Sequence, residues 1–131
     1  MNPIRILLAE DNAVNQKVAE LMLRRIGYEA EIAGNGKIAI EKFQNYAYSI
    51  ILMDAQMPVM DGVEATRWIR ENIDETKQPK IIVMSAALID ESRENWAEVR
   101  VDGYIEKPIR IELLKQVLDQ AYEESKSDSN K

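Results

Sequence analysis

The sequence predicts a single α/β domain: five parallel strands in one sheet, with helices on both faces. Two observations carry that expectation. Five short apolar runs each give way to polar or turn-forming residues, and the segments between them space their apolar residues as amphipathic helices do. Alternation of strand-like and helix-like segments calls for a parallel sheet covered by helices. The 131 residues are enough for one domain and too few for two ordinary ones. A chain of that size buries about two-thirds of its unfolded surface, so a core forms without covalent staples. No internal repeat or linker interrupts it.

Taken in order, Ile4 to Ala9 (IRILLA) is the first strand-like run, and it ends in Glu10-Asp11-Asn12. Asp11 or Asn12 is a natural N-cap for a helix in which Val14, Val18, Leu21, Met22 and Ile26 recur at helical spacing. Gly27 closes that helix as its C′ residue. Tyr28 to Ala33 (YEAEIA) alternates less cleanly and reads as a more exposed strand. Asn35 caps a helix from Gly36 to about Asn45, with Ile40 and Phe43 facing inward.

Ile50, Ile51, Leu52 and Met53 then run straight into Asp54. A continuous apolar run this short, with β-branched members, fits a strand buried on both faces. The turn pairs Met57-Pro58 and Asp61-Gly62 prevent its continuation as a helix. Gly62 to Ile73 carries Thr66, Ile69 and Ile73 on one stripe of a third helix, and Lys80 to Ala86 (KIIVMSA) is another buried strand. Asp90 to about Val99 reads as a short, charged helix. Val101 to Ile105 (VDGYI) reads as a short strand halted by Lys107-Pro108. Leu114, Val117, Leu118 and Ala121 mark the last helix, and Ser125 to Lys131 is a polar tail expected to fray.

Composition removes several classes of chemistry. The chain has no cysteine and no histidine, which excludes disulfides, thiolate metal sites, Ser-His triads and typical zinc sites. Any metal must be a hard ion held by oxygen. With Lys+Arg 17 against Asp+Glu 23, the net charge is -6, opposite to the basic footprint that nonspecific nucleic-acid binding needs. No apolar run is long enough to cross a membrane and no signal-peptide pattern opens the chain, so a cytoplasmic protein is expected.

The ends of the strands hold the candidate chemistry. Glu10 and Asp11 follow the first strand, Asp54 ends the third, Ser85 ends the fourth and Lys107 follows the fifth. In a parallel α/β sheet these share one edge, outside the carboxyl ends of the strands, where ligands bind. Carboxylates brought close together repel one another, and a divalent cation relieves the repulsion. Mg²⁺ suits such a site, since it takes few carboxylates, keeps several waters and shares phosphate oxygens. Lys107 offers a point charge and Ser85 a hydroxyl donor to further phosphoryl oxygens. A carboxylate in such a cradle can attack phosphorus and form an aspartyl phosphate, a reaction that depends mainly on positioning and charge neutralisation.

Four ordered motifs carry a family resemblance: LLAEDN (Leu7 to Asn12), ILMDAQMPVMDG (Ile51 to Gly62), IVMSA (Ile82 to Ala86) and DGYIEKP (Asp102 to Pro108). The chain resembles the receiver domain of two-component response regulators over residues 4 to 122, most of all receivers of hybrid sensor kinases and phosphorelays. The resemblance implies a flavodoxin-like (βα)5 fold with strand order 2-1-3-4-5, the domain spanning residues 1–123 and a polar tail 124–131. It implies Asp54 as phosphoacceptor, and Asp11, Glu10, Asp54 and the backbone carbonyl of Gln56 around a magnesium ion. Lys107 is then the phosphoryl-pairing lysine, joined to Pro108 by a cis bond, with Ser85 and Tyr104 as switch hydroxyl and switch aromatic. Implied partners are a sensor histidine kinase, a histidine-phosphotransfer protein, or both, and a downstream protein target. No nucleic acid or membrane is expected, and the state is a monomer or weak dimer.

Some positions depart from the family pattern or stay open. Ser85 stands where threonine is commoner, and Arg100 stands where many members carry glycine before the fifth strand. Ala87 cannot hydrogen-bond an attacking water through its side chain, whereas Gln56 can. Asn12, Asn15 and Gln16 either shape a surface for a phosphotransfer helix bundle or serve as a cap and solvated residues. Trp96 is either solvated helix surface or a partner contact. Gly34-Asn35-Gly36-Lys37 lacks the spacing and the following Ser or Thr of a phosphate-binding loop. Two other functions use the same residues: a Mg²⁺-dependent phosphatase with outside substrates, and a phosphorylation-independent interaction module that keeps only the fold. Neither a substrate pocket with a leaving-group acid nor the loss of an acid or the lysine is visible in the sequence.

Overall fold

The computed structural model describes residues 4–55, 57, 59–85 and 99–129, with side chains through residue 124. Gln56, Ala87, Trp96 and most of the helix expected over 90–99 lie outside the described residues. The described elements are β1 (Ile6–Ala9), α1 (Ala13–Arg25), β2 (Ala30–Ala33), α2 (Gly36–Asn45), β3 (Ile50–Asp54) and α3 (Gly62–Asn72). A 3-10 turn (Glu75–Lys77), β4 (Lys80–Ser85), β5 (Gly103–Glu106) and α4 (Ile111–Ser129) follow. The strands form one parallel sheet in the order β2-β1-β3-β4-β5, as the resemblance implied. β3 is its centre, and β2, the least regular run in the sequence, is an edge strand with only Ala33 fully buried.

Period-two alternation divides the strand residues between two cores. Leu7, Ala9, Ile51, Met53, Ile81 and Val83 face one way and pack with Ala39, Ile40 and Phe43 of α2 and Ala65 and Ile69 of α3. Ile6, Leu8, Ile50, Leu52, Ile82, Met84 and Ile105 face the other way, against Ala19 and Leu23 of α1 and Leu114, Leu118 and Ala121 of α4. Burial on both faces is why the β1, β3 and β4 segments read as continuous apolar runs. Each buried Leu, Ile or Met contributes about 1.5–3 kcal/mol, so the central strands anchor everything attached to their ends.

Local chemistry sets the helix boundaries. Asn12, Asn35 and Asp61 are the N-caps of α1, α2 and α3, their side-chain oxygens accepting from the backbone N–H of Asn15, Ile38 and Glu64, each at 2.9 Å. Of the two cap candidates for α1, the chain uses Asn12, which leaves Asp11 for other work. Gly27, at φ +95, ends α1 in a Schellman arrangement: Tyr28 N donates to Leu23 O at 2.8 Å and Gly27 N to Arg24 O at 3.1 Å.

Two expectations differ from the structure. The apolar spacing in α1 marks its buried face only in part: Met22 and Ile26 pack against the core, and the rest of the stripe does not. The core takes Ala19 and Leu23, while Val14, Val18 and Leu21 are 70%, 46% and 52% exposed. Helical spacing identifies a stripe but not which side of it meets the sheet. At the other end of the chain, α4 runs to Ser129, through residues whose polar composition suggested a tail from 124.

The amino ends of the strands are tied by Arg70, whose side chain is 10% exposed. Its guanidinium donates to Arg100 O (2.7 Å), Gln78 Oε1 (2.8 Å), Pro79 O (2.9 Å) and Asp102 Oδ2 (2.9 Å). Asp102 Oδ2 also accepts from Ile81 N at 2.8 Å, and Gln78 Nε2 donates to the carbonyls of Ile69 and Ile73. One planar donor fork therefore joins α3, the entry to β4 and the entry to β5. Arg100 joins this arrangement through its carbonyl, a contact that its backbone alone supplies. Removing one partner of such a network leaves the others desolvated and unmatched, so Arg70→Ala should lower unfolding free energy by about 3 kcal/mol. A urea titration checks this, and a loss under about 1 kcal/mol would show that the network is dispensable.

Candidate functional site

The register of the sheet brings the strand ends level. Ala9 pairs with Ala33 and Met53, Asp54 with Met84, and Ser85 with Glu106. Further backbone bonds fix the residues just beyond: Glu10 N to Ala33 O (3.0 Å), Ala55 N to Met84 O (2.9 Å) and Lys107 N to Ser85 O (2.8 Å). Glu10, Asp54, Ser85 and Lys107 thus emerge at one edge because the buried strands below them have no freedom to slip.

Their side chains converge. One carboxylate oxygen from each of Glu10, Asp11 and Asp54 lies within 4.8 Å of the others. Glu10 and Asp54 are buried, at 2% and 5% exposure, and Asp11 is exposed. Lys107 Nζ bridges the buried pair, 3.1 Å from Glu10 Oε1 and 3.2 Å from Asp54 Oδ2. Burial pulls the Lys107 ammonium toward a lower pKa, but the Glu10 hydrogen bond and the Asp54 charge outweigh it and hold the pKa above the usual lysine value. Lys107 therefore stays charged. Its peptide bond to Pro108 is cis.

Ser85, at 8% exposure, sits on β4 between the acids and β5, and Tyr104 lies on β5, 38% exposed. The sequence-derived residues Glu10, Asp11, Asp54, Ser85 and Lys107 thus share one edge. Gln56 falls outside the described residues, and Tyr104 lies further down β5.

Two features of the site escaped the sequence. Gln16, half-buried, is tied to the site: its Nε2 donates to the Glu10 carbonyl at 2.6 Å, and Asn12 N donates to Glu10 Oε2 at 3.2 Å. The first turn of α1 therefore holds the acidic loop in place. The six-residue separation of Gln16 from Glu10, across a helix start, carries no periodic signal that would announce the bond. The second feature is Val59, which has φ 71 and is 77% exposed. A β-branched residue in the left-handed region is strained, and this one lies in the loop that leaves Asp54.

A doubly wound parallel sheet with acids and a bridging lysine at its carboxyl edge defines a class, that of α/β domains able to hold a hard cation and a phosphoryl group. Comparison with known proteins narrows it. The family model for the response regulator receiver domain matches residues 6–119. The hybrid signal transduction histidine kinase I of Dictyostelium discoideum is 38% identical over 125 residues, covering 91% of this chain and 7% of that protein. Histidine kinase 5 of Arabidopsis thaliana is 34% identical, over 88% of this chain and 15% of that protein.

Among solved structures, the receiver domain of sensor histidine kinase PA1611 from Pseudomonas aeruginosa superposes with a TM-score of 0.83 at 36% identity. That match covers 91% of this chain and 97% of the other, and a magnesium ion is coordinated in the active-site cleft of that structure. The receiver domain of Saccharomyces cerevisiae Ssk1, crystallised with the histidine phosphotransfer protein Ypd1, gives 0.75 at 25% identity, covering 86% and 83%. The chain belongs to the response regulator receiver domain family of two-component signalling, and it spans only a small part of the length of the curated relatives it matches.

Val59 is exposed, so replacing it sacrifices no core packing, and asparagine tolerates the left-handed region. Val59→Asn should therefore stabilise the domain by about 1 kcal/mol and raise its melting temperature by about 4 °C. A melting temperature no higher than that of the unaltered protein would show that the loop bears no strain there.

Proposed function

We propose that this domain takes a phosphoryl group onto Asp54 from a phosphohistidine of a sensor kinase or phosphotransfer protein. The observation that carries the reading is Lys107 Nζ bridging Glu10 and Asp54 while Asp11 completes a three-carboxylate cluster. Glu10, Asp11 and Asp54, with the Gln56 carbonyl, are the groups that would hold magnesium. The residues fit it, because hard oxygen donors converge on one point and two of them are buried. When bound, the ion supplies charge neutralisation for the incoming phosphoryl oxygens.

The rest is the work of the chain. An Asp54 carboxylate oxygen attacks phosphorus as the P–N bond of the donor breaks. The bonding electron pair stays on the imidazole nitrogen, which takes up a proton. Lys107 pairs with one phosphoryl oxygen and the Ser85 hydroxyl donates to another. Drawing Ser85 toward the phosphoryl group opens space for Tyr104 to turn inward, which changes the β4–β5 surface read by a downstream protein. Chemistry confined to the chain's own aspartate is self-phosphorylation and self-dephosphorylation, not turnover of an outside substrate.

The donor's docking face is α1. Val14, Val18 and Leu21 form an exposed apolar stripe on the helix whose first turn holds the acidic loop. An amphipathic helix carrying the donor histidine fits that stripe, and the likeness to a receiver crystallised with a phosphotransfer protein supports it.

Incubation with phosphoramidate and Mg²⁺ should give a single phosphate adduct by intact mass that vanishes in Asp54→Asn. An adduct that persists in the variant, or none even with a phosphotransfer donor, would overturn the assignment. Val18→Glu separates docking from chemistry: transfer from a phosphotransfer protein should slow about fivefold or more, while the rate with phosphoramidate stays unchanged. Equal slowing with both donors would remove α1 as the docking face.

A further inference from the structure

We propose that Gly36, at the start of α2, is a positioning residue for the phosphoacceptor, acting through the loop that leaves Asp54. The inference rests on Asp54 being the phosphoacceptor. Gly36 N donates to Met60 O at 3.1 Å, which joins the first turn of α2 to the β3–α3 loop. A Cβ on Gly36 would overlap the Met60 carbonyl oxygen and lie 3.1 Å from both the carbonyl carbon and Met60 Cγ, inside the 3.4 Å at which ordinary contact begins. A carbonyl cannot swing aside as a flexible side-chain end can, so any side chain at position 36 moves the loop.

The other end of the loop is seated in the same way. Gly62 N donates to Ala55 O at 3.2 Å, and a Cβ on Gly62 would overlap the Asp54 carbonyl oxygen itself. Between these two seats lies Val59 in its left-handed conformation at φ 71. A strained segment persists only where its surroundings over-determine it, and here the surroundings are two helix N-termini pressed against backbone carbonyls. Gly62 touches the phosphoacceptor's own backbone. Gly36 comes from a different element and meets the loop at Met60, six residues on from Asp54, so its effect on chemistry can be separated from direct contact.

The sequence supplies a matched control. Gly34 lies two residues earlier, and a Cβ there would meet nothing within 4 Å. Neither Gly34, in the bend before the Asn35 cap, nor Gly36, the first residue of α2, has a left-handed φ, and a Cβ finds open space at the first and backbone at the second. In the first turn of a helix, alanine is intrinsically preferred to glycine. Any penalty at position 36 therefore comes from the Met60 contact.

The test compares Gly36→Ala and Gly34→Ala in the whole chain. The readouts are the rate of phosphate-adduct formation with phosphoramidate, the Mg²⁺ dissociation constant by calorimetry, and the melting temperature. A shift of the loop by roughly 1 Å is enough to slow a positioned reaction about 10- to 100-fold. Gly36→Ala should show that slowing and bind Mg²⁺ more weakly, and Gly34→Ala should match the unaltered protein in both. A residue that only supported the fold would lower the melting temperature and leave Mg²⁺ affinity and rate alone, and that pattern overturns the proposal. If the unaltered protein and Gly34→Ala also take no phosphate, the assignment of Asp54 fails first and the proposal falls with it.

Should Gly36→Ala not fold, the unaltered protein still decides the matter. Coupling is reciprocal, so a seat that fixes the site must itself be tightened when the site is filled. Hydrogen exchange at the Gly36 amide should slow about fivefold or more on adding saturating Mg²⁺. Exchange unchanged by Mg²⁺ would overturn the proposal without any variant.

Discussion

The fold's chief constraint is electrostatic: buried Glu10 and Asp54 and exposed Asp11 place carboxylate oxygens within 4.8 Å of one another. Two like charges about 4 Å apart repel by about 4 kcal/mol in a semi-buried setting. The arrangement persists because the strands beneath are held on both faces and cannot relax apart. It is also offset from within, since Lys107 Nζ contacts both buried acids. Strand order explains why a lysine is needed there. Glu10 follows β1 and Asp54 ends β3, whereas Lys107 follows β5, with β4 in between. Only a long, flexible cation can reach across that strand while its backbone stays bonded to Ser85 O.

The two ends of the sheet are built on opposite principles. At the amino end, Arg70, Asp102 and Gln78 match donors to acceptors across three segments, and the Arg5 guanidinium lies 5.1 Å from the ring centroids of Tyr46 and Tyr48. That end is stapled. At the carboxyl end, like charges converge and Val59 occupies a backbone region that valine resists. Stability drawn from one end and from the two cores makes the unfavourable arrangement at the other end tolerable, as is common where strain serves a site.

Much of this was legible in the sequence because it is written in local signals. The apolar runs of β1, β3 and β4, the cap Asn35, a first cap at Asp11 or Asn12, and the stop at Gly27 are read by short-range rules, and the structure has them there, with Asn12 taking the first cap. The convergence of Glu10, Asp54 and Lys107 follows from parallel strands ending at one edge, so it too was accessible once the alternation was seen. What the sequence concealed depends on pairs distant along the chain. Arg70 with Asp102, Gly36 with Met60, and the orientation of α1 are decided by which surfaces meet. Val14, Val18 and Leu21 have the spacing of a buried face, but the sheet accepts the smaller Ala19 beside Leu23, and the valines are left outside.

That exposed stripe and the acidic cluster belong to one mechanical unit. Asn12 caps α1 and donates its backbone N–H to Glu10, and Gln16, one turn on, binds the Glu10 carbonyl. A partner seated on Val14 and Val18 therefore presses on a helix whose first turn is already hydrogen-bonded to an acid of the site. A displacement of α1 by a fraction of an ångström would reach Glu10 without passing through the core. On the proposed reading, docking and chemistry are adjacent in both space and sequence, so the surface that selects the donor also holds one of the groups that receives it. On the same reading, the downstream surface at β4 and β5 lies on the other side of Lys107, whose N–H is bonded to Ser85 O. A phosphoryl group that drew Lys107 from its two acids would then pull on the strand pair proposed to report its arrival. On that reading, input and output share the site but leave it by different strands, so that different partners would meet the same small domain on its two sides.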